Sequence, residues 1–200
     1  MKSFHVLACA LALTLAASAF VPATAADTSV QAALPGDSVY HLDVPLTDQN
    51  GKALRFPGSR GKPVVASMFY SSCQFVCPLI IDTLKKTERA LPGSGRAGFE
   101  VLLVSIDPDR DTPEALARVA AKHHVIDPRW HLARAEKNDV RRIAAVLGVQ
   151  YKPLDDGEFS HSSALILLDA QGRIVARSDK LGEADPEFVA ALSRTVAAKP

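Results

Sequence analysis

Residues 63–78 read Pro63-Val64-Val65-Ala66-Ser67-Met68-Phe69-Tyr70-Ser71-Ser72-Cys73-Gln74-Phe75-Val76-Cys77-Pro78. The first eight are mostly apolar and β-leaning, the composition of a strand buried on both faces of a sheet. A loop carrying two cysteines follows. Beyond Pro78, residues 79–91 set Leu79, Ile80, Leu84 and Leu91 on one side and Lys85, Lys86, Glu88 and Arg89 off it, which predicts an amphipathic helix. Strand, loop and helix in that order put the cysteines beyond the carboxyl end of a central strand, where open α/β sheets bind their ligands. Proline is excluded from helix interiors and biases the residue before it toward extended backbone. Regular helix is therefore expected from about Pro78, with Cys73 and Cys77 on the loop at its N-terminus. The partial positive charge of that terminus favours thiolate over thiol, so both sulfurs are candidate nucleophiles or ligands.

Strands and helices alternate outward from this unit. Asn50-Gly51 between apolar-bearing runs at 42–47 and 53–56 predicts an opening β-hairpin. Residues 99–106 (FEVLLVSI) form a second buried strand, and Asp111-Thr112-Pro113-Glu114 starts a helix, with Asp111 or Thr112 as cap and Pro113 in the first turn. A short strand at 130–133, a helix at 137–147 ended by Gly148, a buried strand at 163–168, a strand at 173–177 and a closing helix from Asp185-Pro186 to about 196 complete the pattern. This is an α/β protein with a mixed central sheet, helices on both faces and an added N-terminal hairpin.

The chain has 200 residues, 48% of them hydrophobic and 22% charged, enough to bury one core and too apolar for a disordered chain. Lys plus Arg number 23 against 22 for Asp plus Glu, so no positive field favours nucleic acid. Residues 1–25 combine Lys2, a short apolar centre and Ala23-Thr24-Ala25, the pattern of a secretory signal peptide cleaved near Ala25. The uninterrupted apolar part is shorter than the roughly 20 residues that span a bilayer, and Leu7-Ala8-Cys9 makes a poor lipid-attachment site because the apolar run continues past Cys9. Periplasmic or exported location is expected, with no retained membrane span. Residues 26–40 read as a flexible leader and 41–200 as the folded domain. Cleavage leaves Cys73 and Cys77 as the two mature cysteines and Met68 as the one mature methionine, which argues against a methionine-rich metal carrier.

Two cysteines with three residues between them allow a local disulfide, a redox pair or a metal clasp. A disulfide across so small a loop constrains the unfolded chain little. Thioredoxin-type enzymes use two intervening residues, and the wider spacing here suits a chelate at least as well. A peroxiredoxin needs Pro seven and Thr or Ser three residues before its cysteine, where this chain has Ala66 and Tyr70. A third ligand has five candidates in His41, His123, His124, His131 and His161. His161 immediately precedes the 163–168 strand, and an antiparallel neighbour would bring that end to the rim carrying the cysteine loop. Two thiolates and an imidazole suit Cu(I), which tolerates low coordination, while structural zinc prefers four protein ligands.

The cysteine loop ending in Pro78, the run Val104-Ser105-Ile106-Asp107-Pro108-Asp109-Arg110-Asp111-Thr112-Pro113, and His161 before an apolar strand together resemble the Sco/SenC family of copper proteins. The likeness runs in order from about Leu46 to Val196. It implies a thioredoxin-like fold, a copper ion held by Cys73, Cys77 and His161, and a role in metallating the copper centre of a terminal oxidase, or action on thiols instead. The chain departs from the family in Gln74-Phe75-Val76, where an acid often precedes the second cysteine, and at Ser160, commonly Asp. Both changes make the rim less anionic and bear on partner recognition, with Phe75 an apolar docking candidate. Asp107, Asp109, Arg110 and Asp111 read as a strand-exit turn and helix cap rather than as ligands.

Two functions follow as expectations. The first is a non-enzymatic copper-binding assembly factor for a cuproprotein such as a cytochrome c oxidase subunit. The second is a thiol–disulfide oxidoreductase in which Cys73 and Cys77 form a redox pair that keeps a partner's copper-ligand cysteines reduced, itself served by a thiol reductase.

Overall fold

The structure, a computed structural model, describes residues 33–93 and 95–198. The expected signal peptide and residues 26–32 of the leader lie outside the described residues. No helix among the described residues is long and apolar enough to cross a membrane.

Among the described residues, nine strands and four helices follow in order: β1 (Pro45–Asp48), β2 (Ala53–Arg55), β3 (Val64–Phe69), α1 (Val76–Ala90), β4 (Glu100–Ser105), α2 (Pro113–Lys122), β5 (Trp130–Ala135), α3 (Lys137–Leu147), β6 (Tyr151–Pro153), β7 (Phe159–His161), β8 (Leu165–Leu168), β9 (Ile174–Ser178) and α4 (Pro186–Ala197). Seven strands form one sheet in the order β2-β1-β5-β4-β3-β8-β9. β3, β4 and β5 run parallel; β1 is antiparallel to β5 on one side and β8 is antiparallel to β3 on the other, while β9, antiparallel to β8, again runs with the central three. Every residue of β3, β4 and β8 is buried, so the middle of the sheet is covered on both faces, as continuous apolar strands require. Ile80, Ile81 and Leu84 of α1 join this core, each burial stabilising the fold by about 1.5–3 kcal/mol.

The ends of the elements carry most of what the sequence misplaces. Helix α1 starts at Val76, two residues before Pro78, because a proline in the first turn withholds an N–H that no helical bond there needs. Cys77 is thus helical and Cys73 alone lies on the loop. β5 extends to Ala135 because β1 pairs with its far end, Leu46 opposite Ala135. A small second sheet, β6 with β7, has no counterpart in the sequence reading. The ordered body also starts before residue 41. Val39–His41 forms a 3-10 turn capped by Ser38, with Val39 and Tyr40 buried. Tyr40 closes over Gly172, where a Cβ would come within 2.5 Å of its ring.

Candidate metal centre

β3 leaves the sheet at Phe69, and Tyr70 turns the chain into the cysteine loop. The Cys73 N–H donates to the Tyr70 carbonyl at 3.3 Å. Helix α1 has no oxygen cap: Phe75, at the cap position, makes no side-chain hydrogen bond. The sulfur of Cys73 takes that place, accepting from the Cys77 N–H at 3.3 Å. Cys77 Sγ, only 4% exposed, accepts from the Tyr70 N–H at 3.4 Å. Both cysteines are free thiols, so the disulfide expected as one option is not formed here.

These contacts divide the pair electrostatically. Burial pushes the Cys73 thiol up, but donation from the Cys77, Phe75 and Val76 N–H groups and from the Cys77 thiol outweighs it and brings Cys73 below the ordinary thiol value. Burial drives Cys77 strongly upward, against the Tyr70 N–H, and the neighbouring Cys73 and Asp111 charges add to the rise. One thiol is half-exposed and disposed to ionise; the other is buried and holds its proton.

His161 ends β7, paired with Tyr151 of β6. β8 runs antiparallel to β3, Ala66 opposite Ile166, so the start of β8 lies beside the end of β3 as the sequence suggested. The link between the two parts is Tyr70. Its backbone N–H meets Cys77 Sγ while its ring stands edge-on to His161 at 5.7 Å and to Phe159 at 5.3 Å. His161 lines an open hollow of about 410 Å³ with Lys152, Ser160 and Ser162. Its Nδ1 lies 3.3 Å from the Ser162 carbonyl, and burial lowers its basicity while that carbonyl raises it, the net direction being down. Neutral imidazole is the form that ligates a metal.

The two cysteines are in contact and His161 meets them through Tyr70. No group of three His, Cys, Asp or Glu side chains among the described residues is gathered closely enough to hold a metal ion. The donor set itself, two thiols and an imidazole, is soft enough for Cu(I). The other histidines lie elsewhere: His131 in β5 pairs with buried Asp48 at 3.3 Å, His41 bonds the Pro35 carbonyl, and His123 and His124 close α2. Phe75 is 84% exposed beside the pair. Arg110 pairs with Asp107, and Lys137 with Asp109. Thr112, not Asp111, caps α2, accepting from the Ala115 N–H at 3.3 Å. Tyr70 and Phe159 were missed as site residues; an aromatic residue at the end of the strand feeding the loop was the one signal available.

Fold and site together define an α/β domain that offers a thiol pair at the head of a helix, with a histidine-bearing hairpin joined to it through one tyrosine. The SCO1/SenC family matches residues 36–197. The chain belongs to that family. A solved structure of Bradyrhizobium japonicum ScoI with copper bound is 28% identical, with a TM-score of 0.64 over 77% of this chain and 98% of that one. Yeast Sco1 with copper bound is 21% identical and has a TM-score of 0.64 over 80% and 89% of the two chains. These neighbours share the thioredoxin-like fold. Among curated relatives, the mitochondrial protein SCO2 of Saccharomyces cerevisiae is 27% identical over 68% of this chain and 46% of its own length. A Stutzerimonas stutzeri protein is 23% identical over 64% of each chain. The chain thus spans about half to two thirds of these curated relatives.

Proposed function

We propose that the protein is an exported copper-binding assembly factor that takes copper through Cys73, Cys77 and His161 and delivers it to a cuproprotein such as the copper centre of cytochrome c oxidase. The observation that carries this reading is the contact chain from Cys73 through Cys77 and Tyr70 to His161. Two thiolates leave a Cu(I) site with one net negative charge and a Cu(II) site neutral, both tolerable where one of the two sulfurs is half-exposed to water. Half-exposed Cys73 gives an acceptor's ligands a place to attack. Periplasmic location is part of the proposal and rests on the character of residues 1–25.

The difference between the two thiols favours a second activity. Cys73 as thiolate would attack a partner disulfide and form a mixed disulfide, releasing one partner thiol. Cys77 would then displace the second, leaving a reduced partner and an oxidised Cys73–Cys77 pair that a thiol reductase restores. His161→Ala separates the readings. Copper retention by the purified protein is expected to fall at least about tenfold, the scale of one lost strong interaction, while reduction of a model disulfide continues at the wild-type rate. If the substitution leaves copper retention intact, the three-ligand reading fails.

A further inference from the structure

Because Thr112 caps α2, the carboxylate of its neighbour Asp111 is left for other work. Asp111 is 0% exposed and makes no ion pair among the described residues. Its oxygens accept from the Ser71 N–H at 3.2 and 3.1 Å, from the Ser71 hydroxyl, and from the Ser105 hydroxyl at 2.5 Å. Ser105 ends β4, and its Oγ in turn accepts from the Asp107 N–H at 2.9 Å. Ser71 stands two residues before Cys73, at the exit of β3. Burying a carboxylate without an ion-pair partner is costly, and the cap hydrogen bond of α2 is already supplied by Thr112. What the hydrogen bonds do accomplish is to fasten the exits of two parallel strands together directly beneath the cysteine loop.

We infer that Asp111 is a positioning residue for the thiol pair: its carboxylate clamps Ser71 to Ser105 and so fixes where the loop presents Cys73 to the head of α1. The loop is then held at both ends, at Ser71 by Asp111 and at Cys73 by the Cys77 N–H. Without the clamp, Ser71 loses its acceptor and the Cys73 sulfur is no longer held against the Cys77 N–H, so its presentation to an incoming reagent changes. The consequence for copper rests on the proposed function; the consequence for thiol reactivity does not.

The test uses the reduced, metal-free protein and three variants. Asp111→Asn keeps the shape but replaces one acceptor oxygen by a donor, Ser71→Ala removes one hydroxyl donor and leaves the charge, and Thr112→Ala removes the helix cap alone. The second-order rate of Cys73 alkylation by iodoacetamide at neutral pH is read beside thermal unfolding and a Cu(I) competition titration. Asp111→Asn is expected to slow alkylation by about tenfold, the worth of one charge-assisted hydrogen bond, and Ser71→Ala by less. Thr112→Ala is expected to lower the melting temperature and leave the rate unchanged. The inference is overturned if Asp111→Asn and Ser71→Ala both keep the wild-type rate, or if Thr112→Ala slows it as much as they do. Should Asp111→Asn fail to fold, Ser71→Ala alone decides. Weak copper binding by the wild type with slowed alkylation in the variants would sink the copper reading and leave the clamp standing.

Discussion

Tyr70 is where the cysteine loop and the histidine hairpin meet, and substituting it tests whether they form one unit. The side chain is 5% exposed, edge-on to Phe159 and His161, with its hydroxyl donating to the Phe159 carbonyl at 3.4 Å. A hydrogen bond that long contributes little, so Tyr70→Phe should cost under about 1 kcal/mol. Tyr70→Ala deletes a buried ring, at about 3–5 kcal/mol, of which each aromatic contact supplies about 0.5–1.5 kcal/mol. For a domain of this size that lowers the melting temperature by roughly 6–20 °C, against roughly 4 °C or less for Tyr70→Phe. Urea unfolding of the metal-free protein measures both, and a double-mutant cycle with His161→Ala isolates the contact. Its coupling energy should be about 0.5–1.5 kcal/mol. A Tyr70→Ala cost below about 1 kcal/mol, or additivity with His161→Ala within about 0.3 kcal/mol, would refute the link.

Native-state labelling followed by peptide mass analysis should find Cys73 modified at least about tenfold faster than Cys77, since one is half-exposed and shifted toward thiolate and the other buried and shifted away; equal rates would contradict that division. Gly148 ends α3 at φ +64°, and an added Cβ would lie 2.8 Å from Arg177 Nη2, so Gly148→Ala should cost about 1–2 kcal/mol, read as a lower urea midpoint at unchanged slope. Asp185 caps α4 and accepts from the Ser178 hydroxyl at 2.7 Å, a bond that holds its carboxyl below the ordinary value of 3.8. With the folded value depressed, its contribution is complete above the unfolded value and disappears as pH falls through the folded one. Asp185→Ala should therefore cost about 1–2 kcal/mol near pH 7, and its melting curve should converge on the wild type in acid. A gap that stays constant with pH would show that the carboxylate charge is not what matters.

The sheet was legible where burial dominates. β3, β4 and β8 are continuous apolar runs, and a strand buried on both faces permits little else. α3 is found at the predicted residues because Gly148 must end it in a left-handed turn. Legibility fails where a residue's role depends on distant partners. Pro78 marks a helix start by its local rules, although the first turn tolerates it and the helix begins at Val76. β6 and β7 have three residues each, with Pro153 in one, too short for any periodicity. Val39 and Tyr40 look like leader residues until the turn at Gly172 receives them. At the site, the cysteines announce themselves by spacing. The proximity of His161 follows only from the antiparallel pairing of β3 with β8. Tyr70 passes for a strand end and Asp111 for a cap, because side-chain partners 89 and 40 residues away are not written in local sequence.

The most direct test of the proposed copper site is an anaerobic Cu(I) competition titration of the reduced protein with a chromophoric chelator, run beside Cys73→Ser, Cys77→Ser and His161→Ala. One tightly held copper per chain, weakened by each of the three substitutions, is the predicted result. Copper binding that is weak, or that ignores His161, would contradict a site built from these three side chains.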